Sequence, residues 1–94
     1  MRTRFTAAYS DWIDSVEDVV TKARLLARVD RLMHGHPGRH RRLPGGICEL
    51  KIDFGPGYRV YYTERSGELI LLCGGDKSSQ PRDIQTAFAL VSQL

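Results

Sequence analysis

The sequence predicts a single α+β domain, in which an N-terminal strand and a helical hairpin precede a small, antiparallel-rich sheet and a C-terminal helix. Three observations carry this. Residues 47–54, ICELKIDF, alternate from Cys48 onward and run into Gly55-Pro56-Gly57, a strong reversal signal. Residues 8–33 repeat apolar side chains at helical spacing. Leu69–Cys73 is apolar at every position, as expected of a strand covered on both faces, and a second helical stripe follows it.

At 94 residues the chain is long enough for one modest core and too short for two. Hydrophobic residues at 41% and charged residues at 27% match a folded globular domain and exclude a disordered one. No apolar run approaches the roughly 20 residues of a membrane span, and the opening MRTRFTAAYSDW has no uninterrupted apolar core of a secretion signal. A cytoplasmic location is therefore expected.

The opening RTRFT alternates and reads as a short edge strand that pairs with the later sheet. Tyr9, Trp12, Ile13 and Val16 then recur at helical spacing, and Val19, Ala23, Leu26, Val29 and Met33 resume it after Glu17 and Asp18. Asp18 is placed to cap the second helix, Gly35 to stop it, and Pro37 cannot continue it. Arg24, Arg28 and Arg31 fall on one outward face. The apolar stripe reads as core covering a sheet. Residues 35–46 carry Gly, Pro and the basic run Arg39-His40-Arg41-Arg42, and are expected to form an exposed, mobile loop.

In the next strand Cys48, Leu50, Ile52 and Phe54 share one face. A three-residue turn pairs Phe54 with Tyr58, Ile52 with Val60 and Leu50 with Tyr62, and sets Asp53 beside Arg59 and Lys51 beside Tyr61 on the other face. After Leu69–Cys73 come Gly74-Gly75-Asp76-Lys77. Ser78 or Ser79 is placed to cap the last helix, Pro81 suits its first turn, and Ile84, Ala87, Phe88, Val91 and Leu94 form its apolar stripe. With the middle strand between them, Cys48 and Cys73 are expected about 9–10 Å apart, beyond the roughly 7 Å limit for a disulfide, as buried thiols.

Lys and Arg number 14 against 11 Asp and Glu, a net charge of +3. Cleavage of RNA by its own 2′-hydroxyl needs a base, cations around the phosphate and an acid for the leaving oxygen. Lys51, Arg59 and Lys77 have the chemistry for all three. Arg59 on a central strand presents bidentate donors to a phosphate, and Lys51 lies on the same face, where a neighbouring cation favours the neutral amine that a base requires. Spacing alone equally allows an ordinary ion pair of Arg59 with Asp53, with Lys51 as a solvated strand residue. The glycines before Lys77 allow a ligand to approach the backbone there. The basic run reads either as a solvated loop or as a surface for nucleic acid or an acidic protein. No Cys-x-x-Cys spacing exists, and His34, His36 and His40 have no acidic ligand nearby, so neither metal nor cofactor is expected.

The stretches Glu49-Leu50-Lys51-Ile52-Asp53, Gly55-Pro56-Gly57-Tyr58-Arg59-Val60-Tyr61, Leu72–Gln80 and Arg82-Asp83-Ile84 resemble the RelE/ParE superfamily of type II toxin–antitoxin toxins, in the HigB-like addiction-module killer branch. The resemblance covers nearly the whole chain. It implies a β-α-α-β-β-β-α domain with the helical hairpin on one sheet face, and a metal-independent endoribonuclease that cuts mRNA on translating ribosomes. It also implies an antitoxin partner, often of the helix-turn-helix type. By position the resemblance implies an active centre of Lys51, Arg59 and Lys77; from the residues themselves, Arg39, His40, Arg41, Arg42, Tyr61 and Arg82 are expected as RNA contacts. Many ribosome-dependent members add a Tyr or His near the C-terminus. Here no Tyr follows Tyr62 and no His follows His40, which leaves Tyr61, His40 and Asp76 for that role. The same scaffold also serves ParE-like toxins that bind DNA gyrase without cutting RNA, or an RNA-binding module without chemistry.

Overall fold

The computed structural model describes residues 2–94. Strand β1 (Arg2–Phe5) leads into helices α1 (Ala7–Ser15) and α2 (Val19–Met33). Strands β2 (His40–Leu43), β3 (Ile47–Ile52), β4 (Tyr58–Arg65) and β5 (Glu68–Asp76) follow, and helix α3 (Gln80–Ser92) ends the fold. The expected α+β class and element order are present, with one strand added. The sheet runs β1-β5-β4-β3-β2, with β1 parallel to β5 and the other pairs antiparallel.

Local chemistry sets the helix ends. Thr6 accepts the Tyr9 amide at 3.1 Å to start α1, and Asp18 accepts that of Thr21 at 2.9 Å to start α2. Gly35, at φ 86°, follows the end of α2 in a conformation that costs glycine little. Ser79 caps α3 by position, its hydroxyl accepting from no helix amide, while Asp76 accepts the Ser78 amide at 2.8 Å and caps the short 3₁₀ turn Lys77–Ser79.

The sheet is covered on both faces. Tyr9 and Ile13 of α1 and Leu25, Val29 and Leu32 of α2 pack on Leu50, Ile52, Val60, Tyr62, Leu69 and Leu71. On the far side α3 brings Ala87, Ile84, Phe88 and Val91 onto Ile47, Tyr61, Ile70, Leu72 and Cys73. Each fully buried aliphatic side chain contributes on the order of 1.5–3 kcal/mol. Leu94, expected in the α3 stripe, lies past the helix and is 44% exposed.

Three sequence expectations are corrected. His40–Leu43 is not a loop: it pairs with β3 from His40 opposite Leu50 to Leu43 opposite Ile47, because β3 otherwise leaves an open edge. The β3–β4 turn spans residues 53–57 instead of three, so Ile52 faces Tyr58, Leu50 faces Val60 and Lys51 faces Arg59. The slip is by two positions, an even number, so the side chains that remain paired keep their predicted faces, whereas Asp53 leaves the ladder for the turn. Finally, Gly74 and Gly75 are not open to a ligand. Side chains there would collide with the Trp12 ring on one face and with Asp83 and Ser79 on the other.

A bulge makes that placement possible. Tyr61 pairs with Cys73 but Tyr62 with Leu71, leaving Leu72 as the extra residue. Leu72 and Cys73 thereby face the same core. Cys48 packs against the opposite core, and both thiols are free.

Candidate functional site

The polar end of the α3-facing side of the sheet is built on β3 and β4. Lys51 and Arg59 stand directly opposite one another. Arg59 is only 5% exposed: Nη1 donates to the Tyr58 carbonyl at 2.9 Å, while Nε lies 3.9 Å from Glu49 Oε1 and makes no hydrogen bond. It does not pair with Asp53, as spacing allowed. Asp53 instead receives Arg39.

Glu49 is the carboxylate of this site and is fully buried. Arg41 Nε donates to Oε1 at 2.8 Å and Gln80 Nε2 to Oε2 at 2.8 Å. Burial works against its charge, but the bonds from Arg41 and Gln80 and the Arg41 charge outweigh it, holding the carboxyl below its ordinary value. The strand neighbours of Glu49 are apolar and its donors come from β2 and α3, which explains why sequence reading missed it. The usable signal is a carboxylate on the same strand face as Ile47 and Lys51, which a buried site tolerates only with cations to match.

Lys77 completes the arrangement. Its amide donates to the Gly57 carbonyl at 2.9 Å, tying the end of β5 to the β3–β4 turn. Gly57 sits at φ 83°. A Cβ there would lie 3.3 Å from Lys77 Cδ and 3.6 Å from Arg59 Nη1, so the bare α-carbon lets both cationic side chains close over the turn. Residues 53–57 and Lys77 line a shallow depression of about 300 Å³. Among the described residues, neither Lys51 nor Lys77 forms an ion pair. The site therefore combines one fixed guanidinium with two unneutralised amines.

No family model matches the sequence. An uncharacterized protein of Haemophilus influenzae is 41% identical over 95 residues, a span that takes in all of this chain and 96% of the relative. The chain belongs to the same family as that protein. In this member the remaining residues with an expected role are dispersed.

Tyr61 is fully buried, so it offers no surface to RNA, contrary to expectation. Burial, then the Glu49 charge, push its phenol well above the usual value, which removes it as a base. The Asp76 carboxyl is held low by its bonds from Ser78 and is occupied as a cap. His40 and Arg42 pair with Leu50 and Cys48, whose side chains face the α1–α2 core, whereas Arg41 pairs with Glu49 on the site face. Arg39 is exposed on Asp53, and Arg82 is exposed in the first turn of α3. Among the described residues no three of His, Cys, Asp and Glu gather in a way that could hold a metal ion, and no helix is long and apolar enough to cross a membrane.

Proposed function

We propose that this chain is a RelE/ParE-type toxin of a toxin–antitoxin module, an mRNA endoribonuclease that acts on the ribosome and is neutralised by a cognate antitoxin. The observation that carries this reading is the cross-strand pair Lys51–Arg59, with Lys77 folded over Gly57 beside the same guanidinium. Anchored at Tyr58 and beside Glu49, Arg59 is preorganised to meet the negative charge that builds on a phosphate under attack, and loses little side-chain freedom in doing so. Lys51 takes the proton of the 2′-hydroxyl as its oxygen bonds to phosphorus. Lys77 gives a proton to the 5′-oxygen as its bond to phosphorus breaks. The products are a 2′,3′-cyclic phosphate and a free 5′-hydroxyl.

Mapping new RNA 5′ ends after induction tests this in wild type and Arg59→Lys, a variant that keeps the charge in a buried position but loses the planar fork. New ends inside translated frames, absent in the variant, are expected. Helix α3 has neither His nor Tyr, and this favours a second reading, a ParE-like toxin that inhibits gyrase by contact. Growth arrest without new RNA ends supports that one.

A further inference from the structure

A second depression, of about 280 Å³, lies on the other side of the β3–β4 turn. It is lined by Arg24, Ala27, Arg28 and Arg31 of α2 together with Ile52, Asp53 and Phe54. Its charge is unbalanced: three guanidiniums face one carboxylate, Asp53, which Arg39 already engages. Arg28 is an anchor, donating to the carbonyls of Lys51 at 2.9 Å and Pro37 at 2.8 Å, though its Nε is buried without a partner. Arg24 and Arg31, one turn to either side, form no ion pair among the described residues. The Arg24 guanidinium lies over the Phe54 ring, with Cζ 4.2 Å from the centroid, so it is held in place before any ligand arrives.

Clustered like charges without counter-charges oppose folding, and a bound anion relieves them. The two depressions share Asp53 and Phe54. The depression beside Lys77 on one side of the turn therefore adjoins the groove of Arg24 and Arg31 on the other. We infer that the α2 groove is a phosphate subsite for single-stranded RNA, gripping a nucleotide that flanks the one held at Lys51, Arg59 and Lys77. The inference rests on the RNA-cleaving reading above and deepens it: α2 sets the length of RNA engaged, and Phe54 positions Arg24.

The test is fluorescence anisotropy of the purified chain with 2′-O-methyl oligonucleotides, which cannot be cut, as a dinucleotide and as a longer strand. Wild type is expected to gain about ten-fold in affinity from the shorter to the longer probe. Arg24→Gln with Arg31→Gln removes that gain and lowers the salt slope for the longer strand by about 1.4, two phosphates at about 0.7 each. Phe54→Leu, which keeps every charge, reduces the gain in part. A length gain retained in the double arginine variant overturns the subsite. Loss of binding to a poly-glutamate peptide in that variant, with the RNA length gain intact, assigns the groove to an acidic protein and also overturns it. Wild type that binds neither probe overturns the subsite alone, because the RNA-cleaving reading is decided by new RNA ends on translating ribosomes.

Discussion

Gln80, the first residue of α3, donates its side-chain amide to the buried carboxylate of Glu49 in the middle of β3 at 2.8 Å, so the last helix is fastened to the sheet at the candidate site. Replacing Glu49 by Ala leaves the donors of Arg41 and Gln80 without their acceptor and the Arg59 charge without its nearest carboxylate. A loss of about 3 kcal/mol is expected, read as a lower denaturant midpoint at constant m-value.

The same carboxyl makes stability depend on acid. Its folded-state value lies below the ordinary 4.5, so its contribution is complete above that pH and disappears as the pH falls through the folded value. Thermal midpoints are expected to drop below about pH 4.5, with a shallower fall in Glu49→Gln. Asp18 and Asp76, shifted in the same direction, account for the slope that remains.

Gly57→Ala is expected to cost about 1–2 kcal/mol, since alanine pays a penalty at φ 83°, and to displace Lys77 and Arg59 from each other. If the chain acts as the toxin proposed above, growth arrest on induction should weaken further than the loss of stability explains, measured in cells grown at a temperature where the variant remains folded.

Gly74→Ala and Gly75→Ala should differ in kind. At Gly74 the new methyl group meets the rigid Trp12 ring, and overpacking there is expected to destabilise by about 1–3 kcal/mol. At Gly75 it meets the ends of Asp83 and Ser79, which can move aside at the expense of their mutual hydrogen bond. Paired urea titrations should place Gly75→Ala as the milder change.

Alkylation should separate the two thiols. Burial, then the Asp83 carboxylate, push the Cys73 thiol up to about 12, whereas Cys48 is half-exposed on the opposite face. Timed mass spectrometry is expected to find Cys48 modified first and Cys73 only after unfolding.

Element type and order were legible because apolar spacing carries them, from Tyr9 through Val29 and from Cys48 through Ile52. The strand at His40–Leu43 was not, since an edge strand of HRRL has almost no apolar alternation and exists by pairing with β3. Turn length was misread because Asp53 and Phe54 continue the alternating pattern beyond the last paired residue, Ile52. Lys51, Arg59 and Lys77 could be grouped from sequence because the first two share one face of the β3–β4 pair and the third lies at a glycine-marked strand end. The burial of Arg59, and the dependence of Glu49 on Arg41 and Gln80, come from contacts distant in sequence that no local pattern encodes.

The parallel pairing of β1 with β5 joins residues as far apart as Arg2 and Glu68, 66 positions along the chain. During synthesis β1 has no sheet partner until β5 has left the ribosome, and α1 and α2 emerge with their apolar faces uncovered. Closing so long a loop is slow relative to helix formation. The nascent hairpin therefore keeps its apolar faces exposed until the last strand of the sheet is made.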